Sequence, residues 1–384
     1  MGSVYIAGIG MTPVGEHWDK SLANLSASAI LPALKDAGGI QPDALYVGNL
    51  LASSASSQSN LGTVIADNAG LHHIETFNVE AGEASGAAAF RLGYFGILSG
   101  YIQSALIVGV EKYTDQVGPM AETLAAQTID YDFEAIQGLT PASQAGLLMQ
   151  RYIATYDVPR EAFGILPILA HKNAQTNPNA LFRRAITKDS YGKARILTDP
   201  LNLYDAAPYA DGAAAVLLVS EDIKEKIVKQ PVRVAASASA VDTLALHDRP
   251  DPLVFRAAGH SLQKAMLSAS SVWAEIDIFE LWDAYSIYGV LAVEACGLAA
   301  PGAGWRWLQE TDISISGKLP MLTMGGNKAR GFPLGAAGVY QIAEAAMQLR
   351  EEAGDNQVSG ARTALIQSMG GPAANVFTHI LTTR

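Results

Sequence analysis

The same pattern, a strand followed by a turn of small residues and a buried helix, occurs in each half of this 384-residue chain. In the first half, TFNVEAG (76–82) is a predicted strand that ends in a turn, and GAAAFRLGYFGILSGY (86–101) is a predicted buried helix. In the second half, PLGAAGVYQIAEAAMQLREEAG (333–354) is a glycine-rich turn that leads into a long helix. The pattern predicts a duplicated, layered α/β plan.

The composition along the chain divides it into three expected parts. Residues 116–200 are more polar and richer in helix formers than their surroundings, which predicts an inserted, mostly helical loop or lid domain. Residues 1–115 together with 201–225 form the predicted N-terminal half. Residues 226–384 form the predicted C-terminal half.

Composition and charge exclude several classes of protein. Hydrophobic residues make up 49% of the chain and charged residues 16%, which suits packed α/β layers and argues against disorder. The formal net charge is −11 and the basic residues are scattered, so we expect no nucleic-acid binding. No signal-peptide pattern and no membrane-spanning apolar run is visible, so we expect a cytoplasmic protein without membrane contact.

Metal and disulfide chemistry are also not expected. Cys296 is the only cysteine, which leaves no partner for a disulfide and no cysteine-based metal site. The seven histidines show no spacing typical of metal ligands.

Five sequence blocks carry a family resemblance over essentially the whole chain. In chain order they are MQRYIATYDVPREAFGILPILAHKNAQTNPNA (149–180), DAAPYADGAAAVLLVS (205–220), DIFELWDAYS (277–286), GGNKARGFPLGAAGVYQ (325–341) and SMGGPAANVFTHIL (368–381). These blocks resemble the thiolase superfamily, and the similarity is greatest to the sterol-carrier-protein-2-type and archaeal thiolases. The resemblance implies the thiolase fold, a duplicated five-layer αβαβα arrangement with an inserted helical loop domain, and a homodimer that pairs through the first-half sheet.

The residues that do chemistry in that family are replaced here. The Cys-Ala-Ser-Gly motif of the family nucleophile corresponds to a segment with Glu83 in the place of cysteine. Trp282 stands where the family has a histidine before Asp, and Phe332 stands where the family has the histidine of Gly-His-Pro. The acid/base cysteine near the C-terminal Gly-Gly turn is not visible in 367–371. Standard thiolase activity is therefore not expected, although overall similarity alone would suggest the label acetyl-CoA acetyltransferase.

Two interpretations of Glu83 stay open. In one, the carboxylate merely replaces a lost cysteine and is stabilised by the free N–H groups at a helix N-terminus. In the other, Glu83 is a general base at the bottom of an acyl-CoA pocket, where Trp282 and Phe332 lower the local dielectric. Trp282 is a candidate oxyanion donor and Tyr285 a candidate acid, while filling the core is the alternative role for each.

The resemblance implies a coenzyme A thioester as ligand, with no other cofactor bound. Basic residues of the lid and of the site blocks are candidates for the CoA phosphates, with solvated charge as the alternative for each. Glycines in the site turns are expected to let the backbone approach the ligand closely. The cations are Lys172, Arg183, Arg184, Lys328 and Arg330, and the glycines are Gly325, Gly326 and Gly335.

Two functions follow from these expectations. The first is an aldolase-type enzyme that uses Glu83 to form or cleave a C–C bond in an acyl-CoA. Some thiolase-like proteins are aldolases that work with an OB-fold/zinc-ribbon partner of the DUF35 type, so the resemblance also implies that partner. The second is a non-catalytic subunit or scaffold of a multi-protein complex. A tunnel that reaches Glu83 past Trp282 and Phe332 would favour the first.

Overall fold

The computed structural model describes residues 2–384 as alternating strands and helices. The strands are β1 (Val4–Met11), β2 (Ala44–Gly48), β3 (Glu75–Val79), β4 (Ser104–Glu111), β5 (Ile196–Thr198), β6 (Leu201–Asn202), β7 (Gly212–Ser220), β8 (Val232–Val241), β9 (Ile278–Glu280), β10 (Thr363–Gly370) and β11 (Asn375–Thr382). The helices are α1 (Leu22–Asp36), α2 (Ala52–Ala55), α3 (Leu61–Asn68), α4 (Ser85–Leu98), α5 (Met120–Ala125), α6 (Pro141–Tyr156), α7 (Ile165–Asn173), α8 (Lys188–Gly192), α9 (Arg256–Ala269), α10 (Ser286–Ala295), α11 (Gly304–Glu310) and α12 (Ala337–Leu349).

Nine strands form one mixed sheet in the order β3-β2-β4-β7-β1-β8-β11-β10-β9. The first five strands in this order come from the first half of the chain, and the other four come from the second half. The halves join where β1 pairs with β8, and this pairing is short, with Tyr5 opposite Arg233 and Ile6 opposite Val232. The remaining strands, β5 and β6, pair only with each other.

The helices complete five layers around the two parts of the sheet. Helices α4 and α12 contact each other and strands of both halves, so they form the central layer. Helices α1 and α3 pack on strands of the first half, and α9 packs on β8 and β11 of the second half. The predicted αβαβα arrangement is confirmed.

The central helices approach each other closely because the contact is lined by glycine. A Cβ atom on Gly86 would lie 2.7 Å from Cγ2 of Val339 and 2.8 Å from the carbonyl oxygen of Gly335. A Cβ atom on Gly109 of β4 would lie 2.8 Å from the same Cγ2 atom of Val339. These glycines bring the N-terminus of α4 against the loop that precedes α12, and this places the site between the halves.

Helices α3 and α11 were not predicted from the sequence. Helix α3 holds Gly62, Thr63, Val64 and Asn68, which are weak helix formers, and α11 has only seven residues. Both helices form because their apolar residues, such as Leu61 and Leu308, are buried against the rest of the chain. Throughout residues 2–384, no helix is long and apolar enough to cross a membrane.

Candidate active site

Glu83 lies in a tight turn between β3 and α4. Gly82 has a φ of +62°, a conformation that L side chains rarely adopt. The Ser85 hydroxyl accepts a hydrogen bond from the Ala81 N–H at 3.0 Å and donates one to the Gly82 carbonyl at 2.5 Å, which closes the turn. The turn therefore holds the Glu83 side chain at the N-terminus of α4, as the sequence predicted.

The Glu83 carboxylate is buried and points at the turn between β10 and β11. Its side chain is 7% exposed, and Oε2 accepts a hydrogen bond from the Gly371 N–H at 2.7 Å. Burial raises the pKa of Glu83, while the hydrogen bonds from Gly371 and from the Thr128 hydroxyl oppose that rise. The carboxylate is thus held by the protein itself, with a main-chain donor of a neighbouring turn.

Trp282 and Phe332 pack against each other in the hydrophobic core. Their rings meet edge to face at 5.5 Å, and Phe332 also stacks on Tyr209 at 6.5 Å. Trp282 is 1% exposed and Phe332 is 3% exposed, and both belong to the larger hydrophobic core. Their contacts are those of side chains that fill space.

A cavity of about 680 Å³ is lined by side chains from residues 122–197 and from later segments, including Tyr209 of this aromatic cluster. Its wall is mostly apolar, as is typical of pockets that bind small organic ligands. Of the predicted site residues, Tyr285, Lys328, Arg183 and Arg184 line it. The lining residues are Glu122, Ala142, His171, Leu181, Phe182, Arg183, Arg184, Ile186, Leu197, Leu203, Tyr204, Ala206, Ala207, Pro208, Tyr209, Tyr285 and Lys328.

The cavity does not reach Glu83, Trp282 or Phe332, because none of these three lines it. The wall of this cavity therefore gives no support to Glu83 as a base in contact with substrate. Burial is the main cause that raises the pKa of Tyr209 and of Tyr285, and the charge of Glu83 adds a smaller contribution to both.

Two polar residues of the cavity wall, Tyr209 and Glu122, were missed by the sequence analysis. Tyr209, Glu122 and Tyr285 all line the cavity, where each tyrosine and the carboxylate influence one another's pKa. Burial is the main reason that the pKa of both tyrosines lies well above the usual range. The charge of Glu122 raises the pKa of Tyr209 further, and the neighbouring Tyr209 raises that of Tyr285. Tyr285 is buried, Tyr209 is half-buried and Glu122 is exposed, so these three groups connect the inside of the cavity with solvent.

The predicted phosphate-binding cations fall into different environments. Arg183 and Arg184 are exposed and line the cavity, while Lys172 is exposed but does not line it. Lys328 lines the cavity but is only 2% exposed.

Arg330 lies deeper than the other predicted cations. It is fully buried, donates a hydrogen bond to Oδ1 of Asn327 at 2.7 Å, and lies 3.5 Å from Oε1 of Glu344. Its guanidinium carbon lies 4.9 Å from the ring centroid of Tyr340. These contacts hold Arg330 inside the core, and it does not line the cavity.

The predicted glycines shape the backbone behind the cavity and do not line it. Gly325 and Gly326 have φ angles of +101° and +54°, and a Cβ atom on Gly326 would lie 2.5 Å from Oδ2 of Asp283. A Cβ atom on Gly335 would lie 2.9 Å from Oε2 of Glu111. These positions need glycine for the turns themselves. Within residues 2–384, no group of three or more His, Cys, Asp or Glu side chains is arranged to hold a metal ion.

Three proteins are similar in sequence to this chain over nearly its whole length. An acetyl-CoA acetyltransferase of Methanothermobacter thermautotrophicus is 39% identical over 382 residues, which is 99% of this chain and 99% of that protein. The benzoylsuccinyl-CoA thiolase subunit BbsB of Thauera aromatica is 30% identical, over 96% of this chain and 94% of that protein. Sterol carrier protein 2 of Oryctolagus cuniculus is 27% identical, over 98% of this chain and 71% of that protein.

Structure and domain comparisons agree with these relatives. A solved structure described as an Ltp2-ChsH2(DUF35) aldolase superposes with a TM-score of 0.87 over 99% of this chain and 98% of that one, at 23% identity, which shows the shared fold. Residues 4–222 match the thiolase N-terminal domain, and residues 238–383 match the thiolase C-terminal domain-like family. This chain therefore belongs to the thiolase family.

Proposed function

We propose that the protein binds a CoA thioester in the cavity between lid and core and cleaves or forms a C–C bond in its acyl group by acid–base chemistry. The observation that carries this proposal is the connected set Tyr285, Tyr209 and Glu122 on the cavity wall. We infer that Glu83, Trp282 and Phe332 replace the family's cysteine and two histidines. A covalent acyl-enzyme has no nucleophile in the cavity under this inference, because Glu83 lies outside it.

Retro-aldol cleavage of a 3-hydroxyacyl-CoA fits these groups. As the Cα–Cβ bond breaks, its electron pair moves towards the thioester and forms an enolate, and the 3-hydroxyl group becomes a carbonyl. The hydroxyl proton passes to Tyr285 while Tyr285 passes its own proton through Tyr209 to the Glu122 carboxylate. The enolate carbon takes a proton from solvent and Glu122 releases its proton to solvent, which leaves a shortened acyl-CoA and an aldehyde or ketone.

The protonation states support these roles. The raised pKa of Tyr285 and of Tyr209 keeps both hydroxyls protonated, so they act as donors and as a relay rather than as tyrosinate bases. Partial burial raises the pKa of Glu122, although contact with Tyr209 opposes this, which makes the carboxylate a better proton acceptor than an ordinary surface glutamate. Glu83 acts as a positioning residue whose charge favours the protonated tyrosines.

The cavity also supports the assignment of the ligand. Arg183 and Arg184 are exposed cations on its wall, where they can pair with CoA phosphates. Lys172 remains a second candidate for a phosphate in the same lid. The apolar part of the wall suits a pantetheine arm and an acyl chain.

Assembly is part of the proposal. The solved structure of similar fold is described as an aldolase with a DUF35 component, which supports a DUF35-type partner for this chain. A homodimer through the first-half sheet is supported by β3, an edge strand whose Phe77 is 52% exposed. We place the protein in the cytoplasm.

The test uses Tyr285→Phe and a set of 3-hydroxyacyl-CoA thioesters, with products separated by chromatography, both alone and with a co-expressed DUF35 partner. We expect wild-type cleavage and a loss in kcat of about 100-fold or more for Tyr285→Phe, because general acid–base groups contribute that much. Tyr101→Phe, at a residue 77% exposed, is the matched control. Binding without turnover by the wild type would support the non-catalytic alternative, and thiolysis of acetoacetyl-CoA would contradict the proposal.

A further inference from the structure

Lys328 is a buried cation without a counter-ion. Its side chain is 2% exposed, and Nζ donates a hydrogen bond to the carbonyl oxygen of Asp205 at 2.6 Å. Within residues 2–384, no carboxylate oxygen lies within 4.0 Å of this ammonium group, since every ion pair of the chain involves other cations.

The two nearest acids are engaged elsewhere. The Asp205 carboxylate accepts hydrogen bonds from the Tyr191 hydroxyl at 2.8 Å and from the Asn202 N–H at 2.9 Å. The Asp283 carboxylate accepts from the main-chain N–H groups of Asn327 at 2.7 Å and Lys328 at 3.3 Å. Both aspartates attract the ammonium group at longer range, and His171 of the cavity wall feels its positive charge.

An ammonium group has three N–H donors, and a buried donor without an acceptor is costly. Only one of the three donors of Lys328 has a protein acceptor. Because Lys328 lines the cavity, an oxygen of a bound ligand can accept from the other two. The geometry thus describes a binding group that is incomplete without its ligand.

The burial of Lys328 indicates which oxygen of the ligand accepts its hydrogen bond. Arg183 and Arg184 are exposed and suit the phosphates, whereas Lys328 is buried and shares the cavity with the buried Tyr285. The acyl end of a CoA thioester would lie at the buried part. We propose that Lys328 donates to the thioester oxygen of the bound acyl group and stabilises the negative charge that develops there. This assignment rests on the proposed binding of a CoA thioester.

Burial lowers the pKa of Lys328 to about 8, against the attraction of Asp283 and Asp205. The ammonium form therefore predominates at pH 7 and is lost as the pH rises through 8. The interaction with the thioester oxygen should weaken in the same range. The pH dependence offers a readout in the unmodified protein.

The test measures binding of propionyl-CoA and of S-propyl-CoA, a thioether analogue that lacks the carbonyl oxygen, by calorimetry at pH 7. For Lys328→Met we expect affinity for the thioester to fall roughly 10- to 100-fold, as for loss of a charge-assisted hydrogen bond. Affinity for the thioether should change less than about twofold, because that ligand has no oxygen to lose. Lys188→Met, at an exposed lid lysine that does not line the cavity, is the control.

A second measurement does not depend on a variant that folds. In the wild type, the preference for thioester over thioether should decline between pH 7 and pH 9. Equal losses for both ligands, or a preference that does not change with pH, would overturn the role of Lys328 and leave the proposed function standing. Failure of the wild type to bind either ligand would contradict the proposed function together with this assignment.

Discussion

At the scale of single residues, Glu83 combines an unfavourable burial with a specific hydrogen bond. Its side chain is 7% exposed, and its carboxylate accepts a hydrogen bond from the Gly371 N–H at 2.7 Å. This bond links the turn before α4 to the turn between β10 and β11. Burial raises the pKa of Glu83, so the ionised form is less stable in the folded protein than in the unfolded chain.

Glu83→Gln should therefore stabilise the protein at neutral pH, by about 1–2 kcal/mol. The amide oxygen keeps the Gly371 hydrogen bond while the buried charge is removed. A carboxyl group whose folded pKa lies above its unfolded value loses stability as the pH rises, so the advantage of glutamine should vanish near pH 4. Urea unfolding at pH 7.5 and pH 4 checks this, and Glu225→Gln, at an exposed residue of another segment, is the control. A destabilised glutamine variant at pH 7.5 would contradict it.

The sequence motifs predicted part of the site and could not predict the rest. The turn around Glu83 follows from local sequence, and the structure packs Trp282 against Phe332. Tyr209 and Glu122 reach the cavity from two distant segments, which no local pattern records. Whether Lys328 is buried or exposed likewise depends on the lid that covers it.

At the scale of elements, the contact between α4 and α12 depends on glycine. Gly86→Ala places a Cβ atom 2.7 Å from Cγ2 of Val339 and 2.8 Å from the Gly335 carbonyl oxygen. We expect destabilisation by about 1–3 kcal/mol, because neither neighbour can move freely inside the central layer. Gly192→Ala in α8 meets no atom within 4 Å and should stabilise by a few tenths of a kcal/mol up to about 1 kcal/mol. Denaturant unfolding measures the change in the free energy of unfolding for both variants. Changes of the same sign in the two variants would contradict the prediction.

A buried carboxylate joins the segment around residue 134 to the loop that follows β8. Glu134 is 4% exposed, accepts from the Leu246 N–H at 2.8 Å, and accepts from Nε2 of Gln144 at 2.9 Å. Glu134→Ala should leave both donors unpaired, so we expect amide exchange around residues 130–145 to become at least about tenfold faster. Hydrogen–deuterium exchange measures this, with the exposed Asp132→Ala as control. Unchanged exchange would show that other contacts hold the lid.

Strands and long helices were predictable where apolar residues dominate, as in β4, β7 and α4, because burial on both sides leaves few alternatives. Helix α3 was missed, since its residues favour a helix only weakly and packing decides its form. The pairing of β1 with β8, which joins the two halves of the sheet, could not be predicted from the sequence either. Only two residue pairs form it.

At the scale of the whole molecule, buried acids make stability depend on pH. Burial raises the pKa of Glu83, Glu280 and Asp283, and raises that of Glu344 to about 8. Each group binds its proton more tightly when folded than when unfolded. Stability conferred by such groups is complete below their unfolded pKa and declines as the pH rises towards the folded values. The net charge of −11 at pH 7 acts in the same direction, because self-repulsion grows as carboxyl groups ionise.

The melting temperature should therefore be highest near pH 5 and fall by several degrees towards pH 8. Glu344 dominates the upper part of this range, since Oε1 has no hydrogen-bond partner and Nε of Arg330 lies 3.5 Å away. Glu344→Gln should flatten the decline between pH 6 and pH 8, whereas the exposed Glu351→Gln should leave it unchanged. Scanning calorimetry across this range measures both profiles. A wild-type melting temperature that rises from pH 5 to pH 8 would contradict the raised pKa values. It would show that the buried acids remain ionised and are stabilised by the charges of Arg330 and Lys328.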